Sequence, residues 1–273
     1  MRNPTVRLRR TAAVFVIGLV AALIAIAGRM TLAPARAADS NALWRVVHDL
    51  CVTDMKLRRE PAPCLAVNLQ GGYAILKDLR GATQILLVPT VRLAGIESPR
   101  LLEPASPNYF DDAWNSRGFF ERRTGVAVPR DDIALAINSR YARTQRQLHI
   151  HIDCVRQDVR DALEAHEHAI GYRWADFPGG IGGHPYKAIR VMGQELGSRD
   201  PFRLLAQGNP NARGDMGAET LVVVGETFAG GQPGFVVLSD GADLLRVDAA
   251  SGEDLLDHSC AVLRTPAATG AAR

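Results

Sequence analysis

The sequence predicts an α+β protein: an antiparallel sheet of five strands with helices packed on it, a C-terminal α+β extension, and an apolar segment ahead of both. Three observations carry this prediction. Strand-like runs between Cys64 and Pro89 are separated by glycine turns too short to join anything but antiparallel neighbours. Two further runs, at Ile133–Asn138 and Gln147–Asp153, have strand length and composition, and the second alternates polar with apolar residues. Helical patterns with capping residues lie between these runs. A hydrophobic content of 47% with 22% charged residues is that of a folded chain and excludes disorder.

The chain begins with four arginines in its first ten residues, followed by 18 uncharged residues from Thr11 to Gly28. That length suffices for a short membrane span, and the arginines would stay on the cytoplasmic side. Residues 1–38 therefore read as a single-pass anchor of the cell membrane, with the rest outside the cytoplasm. A cleaved signal segment is the alternative, because Ala35-Arg36-Ala37 resembles a cleavage site. The net charge is +3, yet six arginines and no acid precede residue 39, so the remainder carries −3. A mildly acidic body with no general basic surface argues against nucleic acid as a partner. The expected divisions are 1–38, a catalytic domain at 39–170, and the extension at 171–273.

Asp39-Ser40 can cap a helix from about Asn41 to Lys56, whose apolar stripe is Leu43, Val46, Val47, Leu50 and Cys51. Strands are expected at Cys64–Leu69, Tyr73–Leu79 and Thr83–Pro89, turning at Gly71-Gly72 and at Arg80-Gly81. Ser106-Pro107 opens a helix over about Asn108–Arg123, which buries Phe110 and Trp114 and stops at Gly125. After the strand at Ile133–Asn138 and the histidine strand, a helix is expected over about Val155–Ile170. The stretch Phe177–Tyr186 is a glycine-rich loop without the lysine pattern of a phosphate-binding loop. Two runs beginning at Glu219 and Gly234 read as a hairpin, and Ser251 with Asp254 could open a short terminal helix.

There are four cysteines. An even number in an exported protein allows two disulfides with three connectivities. Cys51 and Cys64 are close in sequence, which favours Cys51–Cys64 with Cys154–Cys260, and four buried thiols are the alternative. Without a C-x-x-C pair, zinc is a weaker reading.

The stretch from Arg143 to Cys154, RTQRQLHIHIDC, carries the chemistry. Alternation puts Leu148, Ile150 and Ile152 on one face of a strand and Gln147, His149, His151 and Asp153 on the other. Two imidazoles on one face suit nucleophilic attack on phosphorus, since neutral imidazole is a nucleophile at physiological pH. They could instead supply two metal ligands, with a third from Asp153, His166, His168 or His184, or be merely satisfied polar groups.

The patterns LLVP, INS and T-x-x-Q-L-H-I-H-I resemble the histidine-triad superfamily of nucleotide hydrolases and transferases. More closely, GYAILKDL, LLVPTVRLAGIESP, AINSRYARTQRQLHIHIDC and PGGIGGH resemble the bacterial CDP-diacylglycerol diphosphatases, over roughly residues 41–262. The resemblance implies a histidine-triad-like fold and hydrolysis of membrane-resident CDP-diacylglycerol to CMP and phosphatidate, with no cofactor and no metal. It implies His149 as nucleophile, forming a cytidylyl-histidine, and His151 as the last histidine of the triad. Substrate contacts would come from Gln147, Thr144, Asn138 and Asp78, the last through ribose hydroxyls. Lys77 is useful as a cation near a diphosphate, and His184 is either a substrate contact or a turn residue. Gln147 stands where the superfamily has its first histidine, and glutamine cannot titrate. Arg92 lies near a position that is often histidine. Other functions remain open: transfer of the nucleotidyl group to another acceptor by a tethered enzyme, or a nucleotide- or metal-binding module without turnover. The sequence assigns no oligomeric state.

Overall fold

A computed structural model describes residues 39–264 of the protein. The anchor or signal expected at 1–38 lies outside these residues. Among them, no helix is long and apolar enough to cross a membrane.

The N-terminal helix forms where expected, in three parts: α1 (Ala42–Arg45), a π-helical stretch (Val46–Val52) and α2 (Thr53–Arg58). Leu43, Val47, Cys51 and Val52 are its buried stripe. It ends at Arg59 in the left-handed conformation, which turns the chain toward β1 (Ala66–Asn68). The meander continues through β2 (Tyr73–Lys77) and β3 (Ile85–Pro89). The helix expected over 108–123 is broken into α3 (Tyr109–Asn115) and α4 (Arg117–Thr124), because the Ser116 N–H is shared between the Asp112 and Ala113 carbonyls. Gly125, at φ 77°, closes α4 as predicted. The strands β4 (Ile133–Ile137) and β5 (Ile150–Val155) precede α5 (Gln157–Ala165), which ends five residues before the expected Ile170.

The expectation of a five-stranded sheet is corrected. The described residues form one antiparallel sheet of ten strands, ordered β1-β2-β3-β5-β4-β8-β9-β7-β6, with β10 paired to β5. The additional strands are β6 (Ala175–Asp176), β7 (Lys187–Met192), β8 (Glu219–Phe228), β9 (Gln232–Gly241) and β10 (Leu256–Asp257). The predicted hairpin is β8–β9, and it extends the sheet because β8 pairs with β4. Two helices unforeseen in the sequence, α6 (Pro201–Gly208) and α7 (Pro210–Gly214), follow Asp200 and Asn209, whose side chains cap them.

The sheet's two faces differ. One carries a continuous core: Ile85, Leu135, Ile150, Ile152, Val223 and Val237 pack against Phe110, Trp114, Phe120 and Phe202 from the helices. The other carries two separate apolar clusters. Ala74, Leu86 and Val88 of β2 and β3 pack against the N-terminal helix. Ala136, Val222, Val224 and Leu238 of β4, β8 and β9 pack against α5 and the segment around Tyr186. Strand β5 runs between β3 and β4. Two of its residues on that face, His151 and Asp153, interrupt the apolar surface, and His149 lies just before the strand.

Candidate active site

The predicted alternation holds: Leu148, Ile150 and Ile152 enter the continuous core, and His151 is paired opposite Leu86 of β3 and Ala136 of β4 on the other face. The strand itself starts at Ile150 rather than Gln147. The preceding residues are held by an irregular segment instead of a ladder. The Leu148 N–H donates to Leu93 O (2.7 Å), and the Gln147 amide donates to Pro89 O and Val91 O (3.0 Å each). The Leu93 N–H donates back to Gln147 Oε1 at 3.4 Å. Gln147 is thus fully buried, its amide hydrogens are spent on backbone, and it lies outside the residues lining the pocket. It holds the approach to β5.

His149 and His151 face a cavity of about 540 Å³ that is also lined by Lys77, Asp78, Asn138, Thr144 and Glu253. His149 Nδ1 lies 2.7 Å from the Gln147 carbonyl oxygen. A carbonyl only accepts, so Nδ1 carries the proton and Nε2 keeps its lone pair. Burial, and then the neighbouring His151, push the His149 imidazole down to about 4. It is therefore neutral at physiological pH. The two rings meet edge to face with centroids 5.0 Å apart.

His151 is buried between two carboxylates. Its Nδ1 lies 3.0 Å from Gln84 Nε2 and 3.5 Å from Asp78 Oδ2, and its Nε2 lies 3.8 Å from Glu253 Oε2. That Nε2 has no hydrogen-bond partner among the described residues. Gln84 also donates to Asp78, which accepts the Arg80 N–H as well. Burial would raise Asp78, but the hydrogen bonds from His151 and the Arg80 N–H outweigh it and hold the carboxyl well below the usual range. Glu253 is held low in the same way: burial opposes, and the His151 and Arg80 charges prevail. Asn138 grips Glu253 from both sides, donating to Oε2 (3.2 Å) and accepting its N–H (3.0 Å). Behind this row, Asp153 Oδ2 pairs with His258 Nδ1 at 2.7 Å, and His258 Nε2 lies 3.5 Å from Glu253.

The remaining expected residues divide. Thr144 is exposed and lines the cavity. Lys77 also lines it, but its ammonium donates to the Asp78, Arg80 and Gly81 carbonyls and so closes the turn after β2. His184 lies in a neighbouring pocket that shares only Glu253 with the first, and it pairs with Asp248 at 2.5 Å. His166 packs edge-on against Phe177. Gln84, Glu253 and His258 escaped the sequence reading. Gln84 left a signal: with Thr83 it is a polar residue at the head of the apolar run Ile85–Pro89, on the face that alternation gives to Leu86. Glu253 and His258 left none, since the chain brings them to His151 from about a hundred residues away.

Both disulfides favoured by the sequence are present, Cys51–Cys64 and Cys154–Cys260. The first ties the N-terminal helix to the start of the meander. The second ties β5 to the segment that brings His258. Two clusters could supply three cation ligands each, Asp78 with His151 and Glu253, and His184 with Asp240 and Asp248. A third, Asp153 with Cys154 and Cys260, has its sulfurs in the disulfide and so offers no thiolate.

A buried neutral imidazole with a free lone pair, set beside a second imidazole fixed by carboxylates, is equipped for covalent attack on an electrophile of phosphate type. The apolar wall of the same cavity, with Leu43, Val46, Leu76, Leu79 and Leu86, suits a lipid or other apolar group. Comparison with known proteins bears on the substrate. The family model described as CDP-diacylglycerol pyrophosphatase matches residues 38–264. A CDP-diacylglycerol pyrophosphatase of Yersinia pestis is 43% identical over 228 residues, covering 84% of this chain and 87% of that protein.

Proposed function

The chain belongs to the CDP-diacylglycerol pyrophosphatase family, and from that premise we propose that it hydrolyses CDP-diacylglycerol to CMP and phosphatidate by covalent catalysis at His149, on a histidine-triad-like strand. The observation that carries the mechanism is the proton on His149 Nδ1, held by the Gln147 carbonyl, which leaves Nε2 as the free nucleophile.

Nε2 attacks the phosphorus bonded to cytidine. A P–N bond forms, the bridging P–O bond breaks, and its electron pair leaves on phosphatidate. The leaving group is a phosphate monoester whose second pKa is about 6, so it departs without a proton donor. This is why glutamine suffices where the superfamily has its first histidine. The Nδ1 proton stays on the ring, so the cytidylyl-imidazolium keeps its positive charge and remains a good leaving group. Water then adds to phosphorus, the P–N pair returns to Nε2, CMP departs and one proton passes to solvent.

The unpartnered Nε2 of His151 is a candidate donor for a non-bridging oxygen. Asp78 and Glu253 hold that ring in place. Thr144, exposed on the cavity wall, would meet the second phosphate. A cavity of this size takes a nucleotide headgroup, so two acyl chains extend past Leu79, which is fully exposed, toward the bilayer.

Hydrolysis of CDP-diacylglycerol micelles in ¹⁸O water tests the site of attack. The label is expected in CMP. Label in phosphatidate would overturn attack at the cytidine-side phosphorus, and CMP attached to another acceptor would establish nucleotidyl transfer instead.

A further inference from the structure

The glycine-rich loop Phe177–Tyr186 is not used by this chemistry, yet its construction is specific. Gly179, Gly180, Gly182 and Gly183 all have positive φ, between 60° and 88°. A Cβ on Gly180 would stand 2.4 Å from the His184 carbonyl oxygen. The loop is curled tightly so that it delivers His184 to the ends of two other segments, β9 and the turn at Asp248.

We propose that this loop closes a second site, which takes one divalent transition-metal cation between His184 Nδ1 and the carboxylates of Asp240 and Asp248. His184 Nδ1 lies 2.5 Å from Asp248 Oδ2 and 3.7 Å from Asp240 Oδ2, and all three ligand atoms lie within 4.8 Å of one another. The His184–Asp248 contact is a direct hydrogen bond, so a cation bound at about 2.0–2.2 Å to each ligand displaces the Nδ1 proton and opens that contact to about 3 Å. The observation that asks for a ligand is Asp240. Its residue is 4% exposed, and Oδ2, the oxygen facing His184, is buried without a hydrogen-bond donor. A buried carboxylate oxygen left without a donor beside a second carboxylate is costly unless something positive joins them. The pocket here, about 420 Å³, adds the acidic Glu253 and Asp254 to its wall. The basic residue of that wall, Arg156, is already engaged with Asp158 and the Asp254 carbonyl.

The site has a structural consequence. Asp248 accepts the Ala250 N–H, and Ser139 binds the Ala249 and Ala250 carbonyls. Three residues later the same strap presents Glu253 to Asn138 and His151. A cation at His184, Asp240 and Asp248 pins the loop, the end of β9 and this strap together.

The test is a binding measurement on the full chain in detergent, stripped with chelator and titrated calorimetrically with Zn²⁺. One ion per chain is expected. His184→Ala and Asp240→Asn should each weaken it more than about 100-fold, beyond what loss of an outer partner causes. Asp78→Asn, in the catalytic cavity, should leave it unchanged. His184 is partly exposed, so its variant keeps the fold, and Zn²⁺ should raise the melting temperature of the wild type but not of His184→Ala. No binding, or binding lost in Asp78→Asn but kept in the other two, would overturn the site. The readout is binding rather than turnover, so either result stands apart from the hydrolase reading.

Discussion

At the scale of the residue, the site rests on one ring held neutral and another held in place. His149 is pushed down to about 4 by burial and by His151, so its neutral form persists through the mildly acid range. In the proposed mechanism the deprotonated His149 ring is the active form, so activity should be lost as pH falls through about 4. The acid limb of kcat/KM reports the free enzyme's essential group. It should therefore lie near 4 instead of in the ordinary imidazole range, and a limb near the ordinary value would assign it to a different group. The roles of Gln147 and Lys77 illustrate what sequence alone withholds. Both carry suitable chemistry, Gln147 by its alternation with the histidines and Lys77 as a cation useful near a diphosphate. Only the backbone carbonyls they meet, which no spacing rule reveals, show that their donors are already used.

At the scale of the element, the histidine strand was legible because its alternation reflects a physical asymmetry: one face meets a continuous core, the other a gap between two clusters. Its start was misplaced by three residues because Leu148 bonds to Leu93, in a segment with no strand pattern of its own. The break at Ser116 was invisible for a similar reason, since residues 108–123 keep a helical apolar stripe across it. The disulfides were readable from an even count and from proximity, and each acts on a different element. Cys154–Cys260 closes a span of 106 residues, for which chain entropy gives about 4–5 kcal/mol. Replacing both cysteines with alanine should lower the urea-derived stability by about 2–5 kcal/mol and disturb the Asp153–His258 contact beside it. An unchanged unfolding midpoint would show that the link adds nothing to the fold.

At the scale of the whole molecule, residues 39–170 and those that follow share one sheet. The hydrophobic runs of β8 and β9 were recognisable as a hairpin, but pairing between β4 and β8 is a long-range choice that hairpin signals do not encode. Asp200-Pro201 is a capping signal that went unread beside the stronger glycine loop. A chain ended after Ile170 loses β7, β8 and β9, and with them Glu253, His258 and Cys260. It should show no cooperative urea transition, whereas a sharp transition with near-native stability would mean that the first half folds alone. The same continuity explains why the catalytic cavity draws its wall from Ala42 at one end of the described chain and Glu253 near the other.

The measurement that tests the central claim most directly is to trap the intermediate. Full-chain enzyme mixed with CDP-diacylglycerol labelled on the cytidine-side phosphorus, quenched within the first turnover and digested, should yield acid-labile label on the peptide containing His149. The label should be absent from His149→Ala, whose turnover should fall by several orders of magnitude. Label on another residue, or an unlabelled wild type alongside a fully active His149→Ala, would contradict the account.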